Sequence, residues 1–589
     1  MYVRIQPDIS KIERTYIYKV SESTKESSKI TKGSIVRVVV KGKKQKGWVV
    51  EMLDDIAGLP DEDLDPLKIK DVLEFVSVGP PEYMVDFAYL LSRHYLVSPV
   101  NFLRSASPLR LIQNHTHQEL KKGDGYIAKV IYVDPRANRQ SLISEAIAKD
   151  GSTLLVSPDS HFKLSDWLKQ SGKNSTVYMR EGKGLKDTFT DSAKPDCVII
   201  GSRSALFAPS TDTKSIVLLD DSYEQLSEDR SPQWRAIDVA KLLAQFLQIE
   251  LTIITSVPSV STFDMSTEDK REMKQWPKID IEDKRNSDPV LGDTSKKTVD
   301  LIYNAEKLAL DVAIVINNKS ISKFLVCKSC ETIATCENCA HSVSQVESQS
   351  ELECLACNRR RPLVCLECKA TSFKRYRRGT KSSVDSYKAM FKNFAVHEVT
   401  SSTVKKAEEN IKPGKSNIFV ATEAIFHSTK LCNNLGAVVF QDIDTVMFRS
   451  SIVAFDQTLV LINRALRAIK KSEIKFPILL STKHSGHELF TDLSKIDLAT
   501  NLKRELEVRK SAGLFPYFAT AEIKSDAAAI EELNQTIDKS LIVGINAGES
   551  ESTLLIKAQD HEALSLGAYD DVRKFASRNK FSISVDNYE

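Results

Sequence analysis

At 589 residues the chain exceeds the roughly 250–300 at which a single core stops growing, so several domains are expected. Hydrophobic residues make up 42% and charged residues 27%, and a net charge of only +3 excludes a uniform polycation. No apolar run approaches the ~20 residues of a membrane span and the opening stretch has no signal-peptide pattern, so a cytoplasmic protein with no membrane partner is expected.

Residues 1–108 read as a β-rich unit with a helical tail. Gly33 to Val40 alternates, enters a basic loop from Lys41 to Gly47, and resumes at Trp48, which predicts a hairpin. Between Lys29 and Lys46 every charged residue is basic, Lys29, Lys32, Arg37, Lys41, Lys43, Lys44 and Lys46, so this is where phosphates would be met. Over 125–297 short apolar runs alternate with helical segments: Ser152–Val156, Cys197–Ile200, Ser215–Leu219 and Leu251–Ile254. Near-continuous apolar strands between helices predict a parallel sheet covered on both faces. The charged stretch from about Thr267 to Lys297 reads as a linker. A second such unit, 298–325 and 380–490, has its strands at Val312–Ile316, Ile418–Val420, Ala437–Phe440 and Phe476–Leu480. Residues 491–589 read as a small α/β C-terminal domain.

The second unit is interrupted at 326–379 by eight of the ten cysteines: Cys327, Cys330, Cys336, Cys339, Cys354, Cys357, Cys365 and Cys368. Each pair has CxxC spacing, which sets two thiolates on one side of a tight turn, and two such turns complete a tetrahedral sulfur shell. Four turns suit two zinc ions, and with no ligand position left for water the sites are structural. A reduced, metal-free cluster or a disulfide set is the alternative, and an iron–sulfur cluster the rival metal. Arg359, Arg360, Arg361, Lys374, Arg375, Arg377 and Arg378 flank the module with Phe373 and Tyr376 between them, a pattern suited to phosphates and stacked bases. Cys197 and Cys432 read as core residues.

The order of these parts resembles the primosomal replication-restart helicases of the PriA family. Gly201-Ser-Arg-Ser-Ala-Leu-Phe-Ala-Pro209 is similar to that family's GTRSALFAP segment, Trp234 to Ala240 to the stretch after its acidic ATPase motif, and Leu514 to Phe518 to its YPPF element. The resemblance implies a multidomain α/β fold. A β-rich domain that binds DNA 3′ ends is followed by two RecA-like lobes, a two-zinc cysteine module inserted in the second, and a small C-terminal domain. It further implies that Cys327, Cys330, Cys365 and Cys368 share one zinc and that Cys336, Cys339, Cys354 and Cys357 share the other. Tyr16, Gly33 and Lys70 fall where the family binds the DNA end.

The departures concern phosphate chemistry. A P-loop needs glycines for backbone N–H groups to wrap phosphate, and a Lys and a Ser/Thr to follow. At that place the chain reads Asp134-Pro-Arg-Ala-Asn-Arg-Gln140, while Gly414-Lys-Ser416 precedes a strand instead of opening a helix. The family's Asp-Glu-Glu-His is Asp220-Asp-Ser-Tyr223, and its arginine motif is Asn463-Arg464-Ala-Leu-Arg467 without glycines. Asp220, Asp221, Arg464 and Arg467 therefore mark a degenerate nucleotide site. Ile17 replaces the Asp of the family's Phe-Asp-Tyr run, and the segment from Pro108 to Gly125 is too short for a winged helix. The expectation is a non-enzymatic restart factor that binds forked and single-stranded DNA and assembles with primosome and single-stranded-DNA-binding proteins. The alternatives are an ATP-dependent helicase with a cryptic nucleotide site and a zinc-stabilised protein scaffold that does not bind DNA.

Overall fold

The computed structural model describes residues 1–586 apart from 13, 23, 57–68, 159–160, 180–187, 266–275, 277–278, 287–293, 317–324, 331, 339–342, 346–350, 355–358, 376–379, 412–413, 450, 452, 470–472, 496–497 and 548–550. Two compact units emerge: 1–131, 140–254 and 517–587 in one, 132–139 and 255–516 in the other.

The first unit begins with a five-stranded antiparallel sheet in the order Tyr16–Lys19, Tyr2–Pro7, Lys43–Leu53, Ile35–Val40, Glu74–Ser77. Its edges approach each other through the bridges Lys19↔Asp71 and Lys25↔Glu74, so the sheet curls towards a barrel. Val3, Ile5, Val36, Val38 and Val49 are fully buried inside it. At about 1.5–3 kcal/mol for each such side chain, these strands decide the stability of so small a domain. The predicted hairpin is tighter than its sequence suggests. Lys41 and Gly42 take φ of 47° and 80° and turn the chain in two residues, so Lys43, Lys44 and Lys46 lie on the strand itself and not in a loop.

A parallel sheet follows, ordered Ile127–Tyr132, Glu250–Thr255, Thr213–Leu219, Ser152–Val156, Val198–Gly201, Ser175–Val177. The four predicted apolar runs are its interior strands. Residues 519–585 fold as strand, helix, two strands, helix, strand, in the antiparallel order Ile542–Ala547, Ser552–Ala558, Ala519–Ser525, Ser582–Val585, the split βαβ topology. Its long helix His561–Arg578 meets the N-terminal domain: Tyr569 shares a hydrogen bond with Ser92, and the rings of His94 and His561 stack at 3.9 Å.

The second unit carries a parallel sheet ordered Ile279–Asp283, Ile478–Thr482, Leu435–Phe440, Asp311–Val315, Asn417–Ala421, Ala395–Val399. Its first strand lies inside the stretch read as a linker. Ile279–Asp283 is an edge strand, mostly half-exposed, so its acidic residues mask the strand pattern. The helix Lys296–Lys307 starts at Ser295, whose hydroxyl accepts the Thr298 N–H as an N-cap. A buried ion cluster joins two later helices: Arg509, 1% exposed, reaches Glu505 at 2.8 Å and Asp456 at 3.7 Å.

Candidate metal centre and nucleic-acid interface

The cysteine insertion is built on two small antiparallel sheets, Leu325–Cys327 with Phe373–Arg375, and Val343–Gln345, Glu351–Cys354 and Arg360–Pro362. The first pairing brings Cys327 beside the segment that carries Cys365 and Cys368. The sulfurs of Cys327, Cys330, Cys365 and Cys368 all lie within 4.8 Å of one another. Cys327 Sγ is 3.5 Å from Cys368 Sγ, and Cys330 Sγ 3.6 Å from Cys365 Sγ. The Ser329 backbone N–H donates to Cys327 Sγ at 3.4 Å, as a CxxC turn does when its first sulfur is a thiolate acceptor. Burial pushes the Cys330 thiol up, but hydrogen bonding with Thr332, Cys368 and Cys365 outweighs it and brings it to about 6. These four residues could hold one metal ion.

Of the other set, Cys336 and Cys354 are buried in the module's core with Leu325, Val343 and Leu352, and the Asn338 N–H donates to Cys336 Sγ at 3.4 Å. Cys339 and Cys357 lie outside the described residues.

The basic flank is divided. Arg361 serves the module's own architecture: its guanidinium donates to the Thr335 carbonyl at 3.1 Å and to Val364 O, clasping two cysteine turns together. Arg360 pairs with Glu353 at 3.0 Å, and Phe373 packs on the module core. Lys374 is exposed. The Arg375 backbone pairs with Leu325, while Arg377 and Arg378 lie outside the described residues.

On the N-terminal domain, strand register explains the charge. Arg37 is opposite Lys46, and Val39 opposite Lys44, so Arg37, Lys44 and Lys46 share the outward face, with Lys43 on the other. Like charges opposed across a ladder destabilise it. Glu74, opposite Arg37 on the next strand, compensates through a 2.5 Å ion pair, and that hydrogen bond holds the Glu74 carboxyl below its usual range. Lys41, Lys43, Lys44 and Lys46 remain exposed.

Tyr16 is half-buried against the barrel core, and Ile17 is buried, where a carboxylate would be desolvated. Tyr18 donates to the Val39 carbonyl, and burial raises its phenol to about 12. Lys70 is exposed, its carbonyl accepting from Lys19 N at 3.0 Å. Ile5 pairs with Tyr16 on one side and Val49 on the other, and the Val49 carbonyl accepts from Gly33, which puts Tyr16 and Gly33 in one row across the sheet. Gly33 has φ of 93°, and a Cβ there would lie 2.0 Å from the Pro80 carbonyl oxygen, so only glycine fits.

In the loop 134–140 the Asp134 carboxylate accepts the Arg136 backbone N–H at 2.7 Å. Arg139 donates to Ser256 at 3.1 Å. Gly414-Lys-Ser416 runs directly into the strand Asn417–Ala421. Asp220 and Asp221 are buried after the strand Thr213–Leu219. Arg464 is buried and paired with Glu423 at 3.1 Å, and Arg467, three residues on, is exposed. Cys197 and Cys432 are buried. The segment similar to GTRSALFAP forms a turn in which Arg203 is held by Glu228 at 2.9 Å, and a Cβ at Gly201 would lie 2.6 Å from the Tyr178 carbonyl.

Residues 4–108 match the family model of the PriA 3′DNA-binding domain (3′BD). The replication restart protein PriA of Haemophilus influenzae is 25% identical over 354 residues, 56% of this chain and 47% of that protein. That of Thermotoga maritima is 23% identical over 381 residues, 62% and 50% of the two. The chain is thus similar to PriA proteins over 56–62% of its length. The chain spans about half the length of these PriA relatives. Among solved structures, the DUF1998 helicase MrfA bound to DNA is 9% identical and covers 73% of this chain and 55% of its own, with a TM-score of 0.28, too weak a superposition to carry an argument. Among the described residues, no helix is long and apolar enough to cross a membrane. Sequence reasoning did not find Arg361 as a clasp or Glu423 as the partner of Arg464, because both depend on tertiary contacts.

Proposed function

We propose that the protein is a replication restart factor of PriA type that binds forked and single-stranded DNA without hydrolysing ATP. The observation that carries the reading is the match of residues 4–108 to a DNA 3′-end-binding domain whose outward strand face carries Arg37, Lys44 and Lys46. The occupied loop at Asp134 and the Arg464–Glu423 pair support the loss of the motor. In this reading the chain recruits primosome and single-stranded-DNA-binding proteins to stalled forks in the cytoplasm, and Arg375, Arg377 and Arg378 add phosphate contacts beside the metal module.

The metal is zinc. A tetrahedral shell with zinc–sulfur bonds of about 2.3 Å has sulfur–sulfur edges of about 3.8 Å, close to the 3.5 and 3.6 Å here. Cys336, Cys339, Cys354 and Cys357 hold a second ion by the same chemistry. Both are structural, holding the insertion in shape.

Binding to labelled forks, gapped forks and plain duplex, with and without ATP, tests the function. Fork preference that ignores ATP is expected; ATP-driven unwinding would restore the motor, and absence of DNA affinity at moderate salt would leave a protein scaffold. Charge reversal of Lys44 and Lys46, which share the outward face with Arg37, is expected to weaken all DNA sequences alike and to flatten the dependence of affinity on salt. An unchanged slope would remove the hairpin from the interface.

A further inference from the structure

The chain from Gln113 to Glu119 is an extended strap laid against the N-terminal domain. Gln113 donates to the Val76 carbonyl at 2.7 Å, and Ile112 exchanges hydrogen bonds with Val78 and the Ser77 hydroxyl. Between the strap, the turn at 28–34 and the strand end at 75–82 lies a cleft of about 770 Å³, within the range of small-ligand sites. Two imidazoles from the strap line it, ring centroids 4.9 Å apart and nearly perpendicular. His117 Nε2 lies 2.8 Å from the Gly79 carbonyl oxygen. A carbonyl can only accept, so Nε2 carries the proton and Nδ1 presents a lone pair. Burial lowers this imidazole to about 4, so it is neutral near pH 7. The Nδ1 atom is buried and has no protein partner, and neither has His115 Nε2.

A ligand that completes the site must therefore offer an O–H or N–H donor to His117 Nδ1. Lys29 and Lys32 also line the cleft, held by Glu26 and by Asp86 and Glu82. Lys32 is shared by both Asp86 oxygens and Glu82, but Lys29 has only Glu26 and the Asn114 side-chain oxygen, at 3.2 and 3.4 Å, so one of its three donors is open to an anionic oxygen. Phe75, Val78 and Pro80 give an apolar wall. A peptide added as a strand is disfavoured, because the strap and His117 already take Val76 O, Val78 N and Gly79 O along this edge.

We propose that this cleft is a nucleotide subsite, in which the base or sugar of one nucleotide donates to His117 Nδ1 and its phosphate lies toward Lys29. It uses none of Tyr16, Ile17 or Lys70. That the nucleotide belongs to a DNA strand rests on the DNA-binding reading above; a free nucleotide would satisfy the same groups.

The test measures a short single-stranded oligonucleotide and dAMP separately, on the full chain. His117→Phe is expected to weaken oligonucleotide binding about tenfold, the worth of one well-made hydrogen bond, with the salt slope unchanged because no cation is lost. His117→Gln, which can donate to Gly79 O and still accept, is expected to recover most of it. His115→Phe, on the same wall, is the second variant if His117→Phe loosens the strap. Equal oligonucleotide affinity in wild type, H117F and H115F overturns the proposal. A His117-dependent dAMP affinity with unaffected oligonucleotide binding overturns the strand assignment. A wild type that binds no DNA but binds dAMP through His117 would instead sink the restart reading and leave the nucleotide subsite standing.

Discussion

Changing Cys365 to serine is expected to lower the zinc of the purified chain from two ions to one and to loosen the insertion around Cys327, Cys330 and Cys368, while the second set of four cysteines and both parallel sheets persist. Elemental analysis reads the first effect and limited proteolysis across 326–379 the second. The magnitude follows from how little else holds the module. Its core offers Leu325, Val343 and Leu352 as large aliphatic side chains, at about 1.5–3 kcal/mol each. Ordering the backbone costs about 1–2 kcal/mol per residue. Structural zinc contributes on the order of 10–16 kcal/mol, so a zinc ion held here would stabilise the module more than its apolar core does. Cys365 is buried and sits 3.6 Å from Cys330, so serine removes one of the four sulfurs gathered there. Zinc content unchanged at two would show that this set of four is not a site.

Arg509→Met is expected to destabilise the second unit by about 3–5 kcal/mol, the cost of removing one partner from a buried ion pair. The methionine keeps most of the side-chain volume, so the loss is electrostatic and not a cavity. Asp456, 3% exposed, and Glu505 keep their carboxylates, and Asp456 already accepts the Val260 N–H at 3.2 Å. Amide hydrogen exchange in the helix Ala454–Ala468 reads the change directly. Adding Glu505→Leu is expected to recover part of the loss, since it removes a carboxylate left without its cation. An R509M chain with wild-type exchange rates would show that the cluster contributes nothing net.

The parallel strands were legible because burial on both faces writes them as unbroken apolar runs, as in Ile216 to Leu219 and Ile418 to Val420. Ile279–Asp283 was not, because at the sheet's edge its alternate residues are acidic. The hairpin was visible but its turn was misplaced: Lys41 in a left-handed conformation has no sequence signal of the Asn-Gly kind. CxxC spacing marked the ligands of the metal site. Which pairs share an ion came from the resemblance, and the structure brings Cys327, Cys330, Cys365 and Cys368 together. Arg464 read as a degenerate catalytic arginine, and its ion pair with Glu423, 41 residues away, belongs to folding that no local pattern encodes. The strap imidazoles went unnoticed for the same reason, since His117 means little until Gly79 is beside it.

The first unit joins segments far apart in sequence: Arg573 donates to the Ser10 carbonyl across 563 residues, and Tyr569 bonds Ser92 across 477. On a ribosome that emits the N-terminal residues first, the strands of 1–77 emerge early but the surface around His94 stays uncovered until the helix His561–Arg578 is released. Contacts of such sequence separation are slow to close. The cysteine insertion and the second parallel sheet are translated in between and can fold during that wait, so the second unit is free to mature before the first is finished.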